Sequence, residues 1–180
     1  MKYYLVAVFD DESYKNLNPI QKNLSKRFRA NRNSPTPYIL LDIVENPAID
    51  KLEPIVEKIV NPYKLFKVQL TNEVYFSENN KNLNIKIADV GYIKRMTRLL
   101  SDTLKLHGFN VLDSNLESSM NLSIANINYV PKDIKKSDGE ITYKCTCETL
   151  KVDRIEIWKF GNNRKEVIIK SYPLKKNLYL

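Results

Sequence analysis

Two short stretches carry the side chains best placed for chemistry: Tyr38-Ile39-Leu40-Leu41-Asp42 and Asn121-Leu122-Ser123-Ile124-Ala125-Asn126. Both are apolar-rich and alternating, so each is expected to be a buried strand. Side chains alternate along a strand, so Tyr38 shares a face with Leu40, and Asn121 with Ser123. Two such strands, one per half of the chain, would set two side-chain pairs across a shared cleft. Asn121 and Ser123 offer hydrogen bonds to an anion, and Tyr38 offers an aromatic face on which a base stacks. Asp42 is the carboxylate closest to them in sequence. Proton transfer suits this set badly. Tyrosine titrates near 10 and asparagine does not titrate.

The elements that would position these residues follow from hydrophobic spacing. Tyr3–Phe9 reads as an opening strand, followed by an acidic turn over Asp10–Tyr14. Asn18-Pro19 reads as a helix N-cap with proline at the first helical position. Leu17, Ile20, Leu24 and Phe28 then form one apolar stripe. The segment Lys15–Asn33 holds Lys15, Lys22, Lys26, Arg27, Arg29 and Arg32 with no acid. It is either a solvated helix face or a phosphate-attracting wall, with Arg29 and Arg32 as the candidate ligands.

A second helix is expected from Ile49, Leu52, Ile55, Val56, Ile59 and Val60, capped by Asp50 or Glu53 and ended by Asn61-Pro62. Leu65–Phe76 and Leu83–Asp89 read as a hairpin with a longer loop. Gly91 opens a third helix with Tyr92, Met96, Leu99, Leu100, Thr103 and Leu104 on its apolar face. His107 and Gly108 close it, a structural role for the chain's one histidine. Phe109–Met120 is a connection, Asn121–Tyr129 a strand, and Pro131–Gly139 a loop. Glu140–Leu150 alternates as a half-buried strand, and Val152–Phe160 with Lys165–Tyr172 forms a closing hairpin. Strands outnumber helices and hairpins dominate. The expectation is α+β: antiparallel sheets with helices on their outer faces, residues 1–180 forming one domain of two pseudo-symmetric lobes around a central cleft.

Composition narrows the partners. The formal net charge of +8 favours anions, so a nucleotide or an RNA end is the expected ligand, with a protein partner as the alternative. The apolar run Tyr3–Phe9 is too short to cross a bilayer, which points to a cytoplasmic protein without membrane attachment. Two cysteines, Cys145 and Cys147, and one histidine do not supply a zinc ligand set, so neither a metal nor another cofactor is expected.

The order of elements around the two short strands resembles the two-histidine (2H) phosphoesterase superfamily, which includes 2′-5′ RNA ligase-like proteins and cyclic phosphodiesterases. Each lobe of that family contributes a His-x-Thr/Ser strand. Here Pro37-Tyr38-Ile39-Leu40-Leu41 resembles the first motif and Asn121-Leu122-Ser123-Ile124-Ala125 the second, while Val152-Asp153-Arg154-Ile155-Glu156-Ile157-Trp158 resembles the closing strand. The likeness spans nearly the whole chain and implies a two-lobed fold with a phosphate-binding cleft. It also implies that Tyr38 and Asn121 stand where the catalytic histidines would be and Leu40 where a hydroxyl would be, with only Ser123 matching. Imidazole serves as both acid and base near neutral pH. The resemblance therefore implies a degenerate protein that binds without two-histidine hydrolysis. The alternatives are a phosphodiesterase or RNA end-processing enzyme using other residues, and an interaction scaffold with a dead cleft.

Overall fold

The computed structural model describes residues 1–77, 81–88, 90–112, 120–129, 132, 140–142 and 149–178. Among the described residues, nine strands and three helices follow one another as β1 (Lys2–Phe9), α1 (Asp11–Arg27), β2 (Tyr38–Glu45), α2 (Ile49–Val60), β3 (Phe66–Ser77), β4 (Asn82–Ala88), α3 (Gly91–Leu106), β5 (Asn110–Leu112), β6 (Asn121–Asn126), β7 (Glu140–Thr142), β8 (Thr149–Phe160) and β9 (Glu166–Pro173). The class is α+β, as the spacing predicts.

Every strand pairing within the sheet is antiparallel. The strands run β3-β4-β6-β2-β1-β8, and β8 pairs back onto β3, so the sheet closes into a ring. Strand β5 flanks β2, β7 flanks β3 and β9 flanks β8. Alternation gives the sheet two different faces. On one, Leu5, Ala7, Phe9, Ile39 and Leu41 pack with the apolar stripes of the helices. On the other, Val6, Val8, Tyr38 and Trp158 form a separate cluster that Tyr4, Leu40 and Phe160 flank. That second face holds the candidate site.

Two helix starts differ from the sequence expectation. Helix α1 begins at Asp11, not near Pro19: Asp10 is the cap, its carboxylate accepting from Ser13 N at 2.9 Å. Asp11 and Glu12, read from sequence as a turn, occupy the first helical turn, where negative charge meets the positive end of the helix dipole. Pro19 lies inside the helix, held by the burial of Leu17, Ile20 and Leu24 around it. Helix α2 is capped by Ala48 with no side-chain hydrogen bond, so neither Asp50 nor Glu53 caps it.

The apolar face of α3 is also displaced. Ile93, Met96, Thr97, Leu100, Ser101 and Leu104 are buried, while Tyr92 and Leu99 stand about half exposed at 44% and 47%. Small Thr97 and Ser101 fit against the core, and Tyr92 packs instead on Tyr63 and Phe66. His107 is the C-cap, its Nδ1 2.8 Å from Thr103 O, and Gly108 follows at φ 82°. Part of the expected connection after α3 is strand β5. Cys145, Cys147 and most of the 131–139 loop lie outside the described residues.

Candidate functional site

Strands β2 and β6 lie side by side, with Tyr38 directly opposite Ser123 and Ile39 opposite Leu122. On the far side of β6, Ser123 faces Asn84 of β4. One row therefore crosses three strands: Tyr38, Ser123 and Asn84, all of them buried. Hydrogen bonding from the side chains of Ser123 on β6 and Asn82 on β4 offsets part of the cost of burying the Tyr38 hydroxyl. The Tyr38 ring packs edge-on against Trp158 at 5.0 Å and tilted against Phe160 at 6.1 Å. Burial, only partly countered by the two hydrogen bonds, pushes the Tyr38 hydroxyl up to about 12. It stays protonated at neutral pH.

Beneath Tyr38 the closing strand supplies a satisfied polar network. Glu156, 3% exposed, accepts from Trp158 Nε1 at 2.6 Å, Arg154 Nε at 2.9 Å and Ser171 Oγ at 3.2 Å. Arg154 also reaches Asp153 at 2.7 Å and the Phe9 carbonyl at 2.8 Å. Trp158 is thereby fixed as the wall on which Tyr38 rests.

Above this floor opens a cleft of about 380 Å³. Among the described residues, Lys2, Lys81 and Arg164 are its charged lining residues, and no carboxylate lines it. Tyr4 and Phe160, in edge contact at 4.7 Å, supply partly exposed aromatic surface, and Asn82 and Asn126 supply amides. Two of the three cations sit in left-handed backbone, Lys81 at φ 52° and Arg164 at φ 62°. Glycine or asparagine is favoured there, and other residues adopt this conformation at a cost. Strain of this kind concentrates at functional sites.

The residues singled out from sequence separate in space. Tyr38 and Leu40 line the cleft, but Tyr38 is only 4% exposed and belongs to its floor. The stacking surface falls to Tyr4 and Phe160. Ser123 is buried behind the Tyr38 hydroxyl, and Asn121 pairs with Lys86 farther along β6; neither lines the cleft. A register shift at Ser123 to Ala125 turns the strand so that Asn126 reaches the cleft instead. Asp42 is buried in β2, its carboxylate accepting from Ile43 N at 2.9 Å. Arg29 is exposed and does not line the cleft. Arg32 lines a neighbouring groove. A larger groove of about 530 Å³ lies between α1 and residues 34–37, but Asp11 faces it together with Lys15 and Lys165, so it lacks the uniformly cationic lining. Among the described residues no three His, Cys, Asp or Glu side chains are grouped to hold a metal.

The cleft residues that sequence spacing did not find come from Lys2 near the N-terminus, the β3–β4 turn and the β8–β9 turn. Arg164 lies in the turn of the closing hairpin, whose two strands alternation did locate.

The ring of strands with its helices defines the 2H phosphoesterase fold. The chain superimposes on a phosphoesterase with TM-score 0.61 at 9% identity, covering 97% of this chain and 98% of that one. A protein from Thermus thermophilus matches with TM-score 0.61 at 10% identity over 98% and 100% of the two chains. The E. coli protein LigT, in complex with 3′-AMP, matches with TM-score 0.64 at 10% identity over 96% and 97%. LigT has also been solved with NADP+ and with ATP. No protein-family model and no curated sequence matches the chain. At these identities the likeness establishes the fold. No helix among the described residues is long and apolar enough to cross a membrane.

Proposed function

We propose that this chain binds a nucleotide or an RNA end in the cleft between Lys2, Lys81 and Arg164, without hydrolysing it by a two-imidazole route. One observation carries the reading: three cations, three aromatic rings and two amides, with no carboxylate among the described lining residues, converge on one cleft. The cations suit a phosphate, the Tyr4–Phe160 surface suits a base, and Asn82 and Asn126 suit hydrogen bonds to sugar or base edge. The binding of 3′-AMP, ATP and NADP+ by LigT, on the same fold, supports the same ligand class. On this reading the halves β1–α1–β2 and β4–α3–β6 act as two pseudo-symmetric lobes that meet where Tyr38 pairs with Ser123.

The hydrolytic machinery has no counterpart at the motif positions. A tyrosine held protonated and an asparagine cannot exchange acid and base roles near pH 7. The apolar Leu40 beside Tyr38 favours a second reading, a protein-interaction scaffold with a filled cleft.

Titration with 3′-AMP followed by calorimetry separates the two. Binding that weakens several-fold between 50 and 200 mM salt, and about tenfold in Lys81→Gly, is expected for the nucleotide site. Absent or salt-insensitive binding would favour the scaffold. Phosphorus NMR of a 2′,3′-cyclic nucleotide incubated with the protein is expected to show no new monophosphate peak; a peak abolished in Tyr38→Phe would instead assign an enzyme.

A further inference from the structure

A second depression begins where the cleft ends. It encloses about 280 Å³ and is lined by Asn31, Arg32, Asn33, Asn128 and the turn residues Asn162 to Arg164. Arg164 lines both cavities, so the two adjoin at its side chain.

The chemistry of this groove is unusual for a solvated surface. Among the described residues, five asparagines and two arginines line it, and no carboxylate does. Asn31 and Asn128 hold each other by a reciprocal amide pair, each Nδ2 donating to the other's Oδ1 at 3.0 Å. Arg164 donates to the same Asn128 Oδ1 at 2.9 Å. A primary amide has two donor hydrogens and two acceptor lone pairs, and the pair uses one donor of each. Both amides thus keep a donor while their planes are fixed, and Asn31 also keeps an acceptor lone pair. The donor left on each amide, and the acceptor left on Asn31, point away from the shared edge, so each offers a single hydrogen bond to an exposed base edge. The backbone agrees: Asn31 N donates to Asn126 O at 2.8 Å, which anchors the groove to the β6 residue that lines the cleft.

We propose that the cleft and the asparagine groove are two stations on one single-strand path: a terminal nucleotide sits in the cleft, the linking phosphate passes Arg164, and the adjacent base is read by the Asn31–Asn128 amides, with Arg32 against the next phosphate. This rests on the nucleotide reading of the cleft and extends it from a mononucleotide to an oligonucleotide ligand. Single strands are recognised in this way, by cations along the backbone and side chains on exposed base edges.

The test compares 3′-AMP with a 3′-phosphorylated oligoriboadenylate of three residues, by calorimetry, on the wild-type chain and on Asn128→Ala and Arg32→Ala. Both substitutions fall on exposed residues, and thermal melts report that each variant is folded. The trinucleotide is expected to bind the wild type at least tenfold more tightly than 3′-AMP. In each variant that ratio is expected to shrink severalfold, and in Arg32→Ala, which lies outside the cleft lining, 3′-AMP affinity stays unchanged. The deoxy trinucleotide, run in parallel, tells ribose from deoxyribose strands, and a gain with either supports the path. Equal affinity for 3′-AMP and both trinucleotides would overturn the groove and leave the cleft reading standing. A wild-type ratio that survives in both variants would overturn it too. Failure to bind 3′-AMP and both trinucleotides would overturn the two readings together.

Discussion

Tyr38 forms the floor of the cleft, packed on Trp158 and Phe160, with a hydroxyl that keeps its proton at neutral pH. Its hydroxyl is pushed up to about 12, mainly by burial, against about 10 in an unfolded chain. Below pH 10 both states keep the proton and the contribution to stability is whole. Between about 10 and 12 the unfolded chain releases the proton and the folded one does not, so stability falls as pH rises. Chemical denaturation across that window should show wild-type protein losing on the order of 2 kcal/mol more than Tyr38→Phe. A matching slope in both would show that Tyr38 does not titrate with folding. Glu156 is the complementary case, a buried carboxylate with all its partners in place. Glu156→Ala leaves Trp158 Nε1 and much of Arg154 without their acceptor and is expected to cost about 2–3 kcal/mol in urea unfolding. Lys81 and Arg164 behave in the opposite sense. Each occupies a left-handed position, so Lys81→Gly and Arg164→Gly should leave the melting temperature unchanged or raise it slightly while weakening 3′-AMP binding. Simultaneous loss of stability and binding would remove the case that these cations are kept at a conformational cost. Tyr38, Leu40 and the strand carrying Ser123 were legible from sequence because alternation marks a strand face. Lys2, Tyr4, Lys81 and Arg164 were not, because the ring brings them together from positions with no common spacing.

At the scale of elements, the strands were read more accurately than the helices. Period-two alternation located β1, β2, β4, β6, β8 and β9 within a few residues, since a slip of one would turn every side chain to the wrong face. Helix starts were misread wherever proline was taken as the signal. Pro19 suggested a first turn, yet the acidic residues Asp11 and Glu12 and the Asp10 cap set the start eight residues earlier. A proline within a helix forfeits one backbone hydrogen bond and crowds the preceding turn. Pro19→Ala is therefore expected to raise stability by about 1–2 kcal/mol, net of the greater freedom it gives the unfolded chain. A lower melting temperature would mean that α1 is already relaxed around the ring. The face of α3 was misassigned because Thr97 and Ser101 carry hydroxyls and were not counted as core, although their small size lets them sit fully buried. The β6 irregularity at Ser123 to Ala125 had no sequence signal, and it decides that Asn126 rather than Asn121 enters the cleft.

For the whole molecule, the charge excess read from composition is placed unevenly. Among the described residues, the cleft and the asparagine groove have cationic linings free of acid, whereas the larger groove beside α1 mixes both signs. Anion binding should therefore be confined to one side of the ring, and footprinting of lysine amines by acetylation with and without 3′-AMP is expected to protect Lys2 and Lys81 but not Lys15. The closed ring has a further consequence. Strand β1, near the N-terminus, is held between β2 and β8, and β8 begins at Thr149. As the chain leaves the ribosome, β1 and β3 must wait with open edges until β8, which begins more than 70 residues after β3 ends, has been made. Contacts so distant in sequence form slowly, so the nascent chain passes through a prolonged stage in which unpaired strands seek partners on neighbouring copies. Synthesis rate and chaperone supply, more than the final stability of the ring, then govern how much of this protein reaches its folded state.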